Sequence, residues 1–418
     1  MFLYKLNPKQ KRLNIIPIKP LLFAFFSEFL FIYAFYVSYF SQCEYNASMI
    51  AGLLIMMNLS NVLFNIPAGI LADNVSRRNL LLIGLFAKMI FCGLCFSSKH
   101  YYVLLLAMSF YGIGNSCIYY HTEAYFYDEL KRKNKENTYP RFMGIYYAVI
   151  NLAIAMAGLF GESIYIYFSF EGIFLASILS LTIAMFVLLQ LPNYKPIRTD
   201  NAVFGVKNSK HFIRLFRQML KKPNIIRIII LAIILDTLFV LSIDMNTNLM
   251  NTMEMKAGQI AKIVGIVSLI RCFTNYLSGR IVRYVSFKHV HSLLLIFLSI
   301  AIFFSFKGGY YMVISIALYM CIYPFFDMVV KTKLQRKIDS ATRATTMSFV
   351  SILSFAFACV FNICIMHISK IYGYYAVPVF IFLASILLLF AVRNIILFYR
   401  VDATIRKTIK QPFRYNRK

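Results

Sequence analysis

The chain has 418 residues, 60% of them hydrophobic and only 14% charged, with a mean hydropathy of +0.68. Water-soluble globules carry an apolar share nearer ~45–50%, so this composition excludes one and indicates a polytopic membrane protein. The formal net charge of +28 does not indicate a nucleic-acid partner, because the basic residues lie between apolar runs and not on a face of their own. Residues 1–19 are a basic cytoplasmic segment. They precede an apolar run too long for a signal-peptide core and offer no small-residue cleavage site, so the first span is read as an anchor.

Windows of ~20 apolar residues mark membrane spans. The first bundle, over 20–191, holds Pro20–Gln42, Ser48–Ala72, Asn79–Ser97, Tyr101–Tyr127, Arg141–Glu162 and Gly172–Leu191. A basic linker over 192–223 follows. Its stretch 209–222 is apolar on one helical side and cationic on the other, which predicts an interfacial helix on anionic lipid headgroups. The second bundle, over 224–398, holds Asn224–Asn246, Ala257–Val282, His289–Ser305, Tyr310–Val330, Thr342–Ile368 and Tyr374–Ile396, and a basic tail runs over 399–418. Lys and Arg concentrate on the side that holds both termini, which the positive-inside rule makes cytoplasmic.

The two halves repeat. Asn65, Gly69, Val75, Ser76 and Arg78 align at one constant offset with Asn275, Gly279, Val285, Ser286 and Lys288. The fold expected is an all-α membrane protein of twelve transmembrane helices in two pseudo-symmetric six-helix bundles.

Between the second and third spans runs Gly69-Ile70-Leu71-Ala72-Asp73-Asn74-Val75-Ser76-Arg77-Arg78. A glycine there admits a neighbouring backbone, and Asp73 can pair with Arg77 or Arg78 across a tight turn. The spacing resembles G-x-x-x-D-x-x-G-R-R/K, the cytoplasmic loop signature of the major facilitator superfamily of secondary transporters, with Ser76 in place of the usual glycine. In the second copy Arg283 stands where Asp73 does, so the acid–arginine latch is complete only in the first half.

The fourth span ends Glu123-Ala124-Tyr125-Phe126-Tyr127-Asp128-Glu129-Leu130, which resembles the E-A-x-x-Y-D-x-L ending in a bacterial exporter-like group of that family. Arg343-Ala344-Thr345 resembles the R-A-T start of their eleventh span. Asp128 is read as a gate partner for Arg77, Arg78 or Arg141; the alternative is a solvated helix end amid Lys131, Arg132 and Lys133. The fifth span, over 153–161, keeps small residues suited to tight packing but lacks the proline of the drug–proton antiporter motif. The resemblance implies a multi-pass protein of the plasma or bacterial inner membrane, whose first, fourth, seventh and tenth helices line a central cavity.

A charge at mid-bilayer costs ~2.5–3.5 kcal/mol on insertion scales, so Glu28, Glu123, Asp236, Asp244 and Asp327 must face protein or water. Arg271, midway along the eighth span, is the expected counter-charge for Asp236 or Asp327. Lys88 in the third span is read as snorkelling to the interface, with an unseen partner as the alternative. Two readings stay open: Glu28, Glu123, Asp236 and Asp327 exchange protons as the cavity alternates, or they form a static network with Arg271, Lys88, His121 and the asparagines.

Solute-binding candidates are Asn58 and Asn61, which share a helical face with Asn65, together with Asn115, Tyr119, His121 and Asn151. Gating candidates are Gly69, Asp73, Arg77, Arg78, Asp128, Arg141, Gly279 and Arg283. The eight cysteines lie almost entirely in spans and are read as packers. Cys92-x-x-Cys95 has metal spacing but no histidine beside it, so no metal or other cofactor is expected. With no H-E-x-x-H, G-x-S-x-G or P-loop, no enzyme is expected either. The leading expectation is a monomeric, proton-coupled exporter of a small amphipathic solute. Import of a nutrient or metal chelate is the alternative within transport, and a membrane enzyme or receptor is the one outside it.

Overall fold

A computed structural model describes residues 18–135, 138–193, 223–281, 287–307, 309–337, 343–373 and 376–387. The expected interfacial helix of the linker, the basic tail and most of the leading segment lie outside them. The helices are α1 Ile18–Glu28, α2 Ile32–Gln42, α3 Ala47–Asn74, α4 Arg77–Ser97, α5 Tyr101–Arg132 and α6 Tyr139–Leu189. They continue as α7 Pro223–Thr252, α8 Ala257–Ile281, α9 Phe287–Phe306, α10 Tyr310–Lys337, α11 Arg343–Tyr372 and α12 Val377–Leu387. No strand occurs among the described residues.

Nine of these helical stretches are long and apolar enough to cross a membrane, and two shorter apolar helices, Leu293–Phe306 and Val377–Leu387, stand in the slots of the ninth and twelfth spans. The stretch Arg141–Leu189 holds two spans, so the expected twelve are accounted for. The expected loop between the fifth and sixth spans is instead helical up to Ser169, where φ 52° and ψ −153° turn the chain. The connecting residues 163–170 are mostly apolar and contain neither glycine nor proline, so nothing local ends the helix earlier.

A second departure lies in the first span, which is broken directly after Glu28 and resumes at Ile32. No proline or glycine explains it. The break is held from α6: Ser180 Oγ donates to the Phe26 carbonyl at 2.8 Å, and the Ile32 N–H donates to Ser177 Oγ at 3.1 Å. An unpaired backbone group in hydrocarbon costs several kcal/mol. Two serines three residues apart, on one face of α6, replace bonds the broken helix has lost. Replacing both by alanine should destabilise the protein by about 1–3 kcal/mol per orphaned group, read as a lower melting temperature in detergent. Thr182→Ala is the control, because its hydroxyl serves only its own helix at Ile178.

Two large apolar cores form among the described residues, beside a small cluster of Ala68, Leu80 and Cys117. One gathers Phe23, Phe35, Leu53, Leu85, Phe126 and Phe174 from α1 to α6; the other gathers Leu235, Leu249, Leu298, Ile316, Phe326 and Phe382 from α7 to α12. The halves meet where α6 packs on α8 and α3 on α11, and α2 adds contacts to α7 and α8. At the first of these interfaces Gly158 faces Ala261 and Gly265, while Gly265 faces Ala155 and Leu159. An ion pair between Glu162 on α6 and Lys262 on α8 spans the same seam.

Candidate functional site

The second half supplies the denser cluster of charge. Along α10, Tyr323, Asp327 and Lys331 follow at four-residue steps and so share a face. Lys331 Nζ stands 2.9 Å from Asp327 Oδ1 and 3.4 Å from Asp236 Oδ1 on α7, and the Tyr323 hydroxyl donates to Asp236 Oδ1 at 2.6 Å. One ammonium thus serves two carboxylates. The rings of Tyr323 and Phe239 stack at 4.2 Å, and the Arg271 guanidinium lies 4.6 Å from the Phe239 centroid.

This corrects the expected role of Arg271. The ion pairs given to Asp236 and Asp327 both run to Lys331, whereas Arg271 Nε and Nη1 have no hydrogen-bond partner among the described residues. A desolvated cation–π contact returns about 2 kcal/mol, less than the several kcal/mol that burying a charge costs. Sequence reasoning missed Lys331 because the predicted span stopped at Val330. Its four-residue spacing from Asp327 was the available signal.

In the first half Glu28, at the break between α1 and α2, pairs with Lys88 on α4 at 2.9 Å. Lys88 is 1% exposed, so it does not snorkel. Its stem passes Gly114 on α5, where an added Cβ would lie 2.8 Å from Lys88 Cγ and 2.9 Å from the Gly84 carbonyl. Tyr119 connects the halves: it is 47% exposed, and the charges of Lys331, Asp236, Arg271 and Glu28 all act on its hydroxyl. Glu28 of the first half and Asp236, Lys331 and Arg271 of the second thus all lie near Tyr119.

Other predicted side chains go elsewhere. Asn58 and Asn61 are buried on α3, and both side-chain polar atoms of Asn58 lack a hydrogen-bond partner among the described residues. Asn61 accepts from Asn65 at 2.9 Å, on the face of α3 that Gly112 of α5 meets. Asn151 is also buried and donates to the Tyr147 carbonyl at 2.8 Å. Asn115 and His121 are half-buried on α5.

Of the gating set, Arg78 donates to the carbonyls of Leu189 and Leu191, each at 3.1 Å, where a cation complements the end of α6. Arg77 is half-buried at the start of α4, and Arg141 is exposed on α6. Gly69 and Asp73 fall in the last turns of α3, Glu123 and Asp128 on α5, Asp244 on α7 and Gly279 on α8; their side chains, and Arg283 altogether, lie outside the described residues. Among the described residues no group of His, Cys, Asp and Glu is arranged to hold a metal.

No curated protein matches the sequence. Solved structures do match. A point mutant of the nucleoside transporter NupG aligns with a TM-score of 0.70 at 16% identity, covering 90% of this chain and 98% of that one. A D-xylose-proton symporter aligns with a TM-score of 0.65 at 13% identity over 88% and 95% of the two chains. The E. coli fucose:proton symporter FucP aligns with a TM-score of 0.58 at 15% identity over 90% and 98%. These likenesses establish the fold. The sequence profile of the Major Facilitator Superfamily matches residues 21–361, and the chain belongs to that family of membrane transporters.

Proposed function

We propose that the chain is a proton-coupled carrier of a small amphipathic solute, working by alternating access, with export the direction favoured by its short motifs. The observation that carries the reading is the sharing of Lys331 by Asp236 and Asp327. Lys331 can serve both carboxylates only while α7 and α10 stay close, and a carboxylate that loses the ammonium would take up a proton. A rocking motion that parts α7 from α10 would change how many carboxylates the ammonium can serve, and hence whether that proton stays. Glu28 with Lys88 is a second such pair in the opposite half, and Tyr119 faces both. In this reading both termini are cytoplasmic, the basic segments lie against anionic lipid headgroups, and a monomer suffices.

A second reading, uptake by proton symport, is favoured by the structural likeness to two proteins named as proton symporters. Purified protein in vesicles with an imposed pH gradient tests the coupling. Asp236→Asn and Asp327→Asn should each cut gradient-driven flux by about tenfold or more, equivalent to ~1.4 kcal/mol, while solute exchange without a gradient persists. Undiminished gradient-driven flux in both variants would end the proton role. The sign of accumulation in cells with and without the gene decides direction.

A further inference from the structure

Arg271 sits midway along α8 and is 6% exposed, with Nε and Nη1 closed off from water and lacking a hydrogen-bond partner among the described residues. Among the described residues no carboxylate forms an ion pair with it. The two nearby aspartates are engaged by Lys331 and Tyr323, and the guanidinium rests on the Phe239 ring instead. Its charge also reaches Tyr119 in the other half, a residue 47% exposed. A guanidinium offers a rigid fork of donors that matches a carboxylate with two parallel hydrogen bonds, and it retains its charge at any physiological pH. Next to it, Phe239 is stacked on Tyr323 by one face and carries the guanidinium on the other, so aromatic ring edges border the donors.

We propose that Arg271 is the recognition residue for an anionic group on the solute, and that the solute class is a small aromatic or amphipathic organic carboxylate set beside the edges of the Phe239 and Tyr323 rings. The inference rests on the carrier reading and names its substrate class. The unpaired donors supply what a neutral solute would leave unsatisfied, since a buried fork without an acceptor disfavours any ligand that cannot provide one.

The test uses matched probes that differ in charge: benzoate against benzamide, and indole-3-acetate against indole-3-acetamide, read by the melting temperature of the purified full chain and by titration. The carboxylates should stabilise the protein and the amides should not. Arg271→Gln should raise the carboxylate dissociation constant by at least about tenfold, and Arg271→Lys should recover part of the loss. Should Arg271→Gln fail to fold, Phe239→Leu serves: it should weaken indole-3-acetate more than hexanoate, which needs no aromatic neighbour.

Equal shifts from acids and amides, no shift from any carboxylate, or carboxylate binding intact in Arg271→Gln or Phe239→Leu would each overturn the proposal. Carboxylate binding without flux in vesicles would sink the carrier reading and leave the anion site standing. Flux of neutral solutes indifferent to Arg271→Gln would do the reverse.

Discussion

Lys88→Met is expected to destabilise the protein by about 3 kcal/mol, the lower end of the cost of removing one partner from a buried ion pair. Methionine fills nearly the same volume, so the slot between α4 and α5 that Gly84 and Gly114 create stays packed. What is lost is the ammonium 2.9 Å from Glu28, whose side chain is 16% exposed against 2% for Lys88. Its residual contact with water keeps the expected cost at the low end. Glu28→Gln combined with Lys88→Met should restore most of the melting temperature, since no unpaired charge remains. A single variant as stable as the parent would mean that water already solvates Glu28 well enough to stand alone.

That pair also marks where sequence reasoning stops. The spans were legible because a bilayer demands unbroken apolar windows of fixed length, and the halves because Asn65 to Arg78 and Asn275 to Lys288 share one offset. The break after Glu28 was not legible. Its local sequence, Phe-Ser-Glu-Phe-Leu-Phe, carries no helix breaker, and the groups that stabilise it, Ser177 and Ser180, lie about 150 residues further on. Lys88 and Glu28 meet only because α1 and α4 are brought together by tertiary packing, which periodicity does not encode.

Lys331 was missed for a different reason. Hydropathy windows end where charges begin, and Val330 is where the window closes, one residue before the lysine that pairs with Asp327. The asparagines of α3 show what spacing leaves out. Their spacing puts Asn58 and Asn61 on related faces of the helix, but Asn61 is bonded to Asn65 beside the close approach of Gly112, a contact that periodicity does not encode. The depth of Arg271 is legible from its place midway along the span, whereas its neighbours are not, because Phe239 and Lys331 lie on other helices.

The small residues of the fifth span were read as packers, and the structure makes them the seam between the halves, which leads to the largest expected effect on transport. Gly158→Val should reduce solute exchange by at least about tenfold while both halves stay folded. A Cβ at Gly158 would lie 2.6 Å from the Ala261 carbonyl and 2.8 Å from the Gly265 nitrogen, backbone atoms that cannot swing aside. They belong to α8 in the other half, so the clash is relieved by parting α6 from α8 and not by unfolding either bundle. The Glu162–Lys262 pair on the same seam would be stretched with it.

Gly112→Val provides the contrast, since its Cβ would lie 2.3 Å from the Met57 carbonyl within the first half, where relief has to come from that bundle itself. Gly93→Val is the neutral control, with nothing within 4 Å. The expected pattern is lost exchange with a near-parental melting temperature for Gly158→Val, lost stability for Gly112→Val, and neither for Gly93→Val. Spin-label distances across α6 and α8 should lengthen only in the first. Parental exchange in Gly158→Val would mean that this seam is already slack in the states that carry solute, and the pivot would have to be sought between α3 and α11.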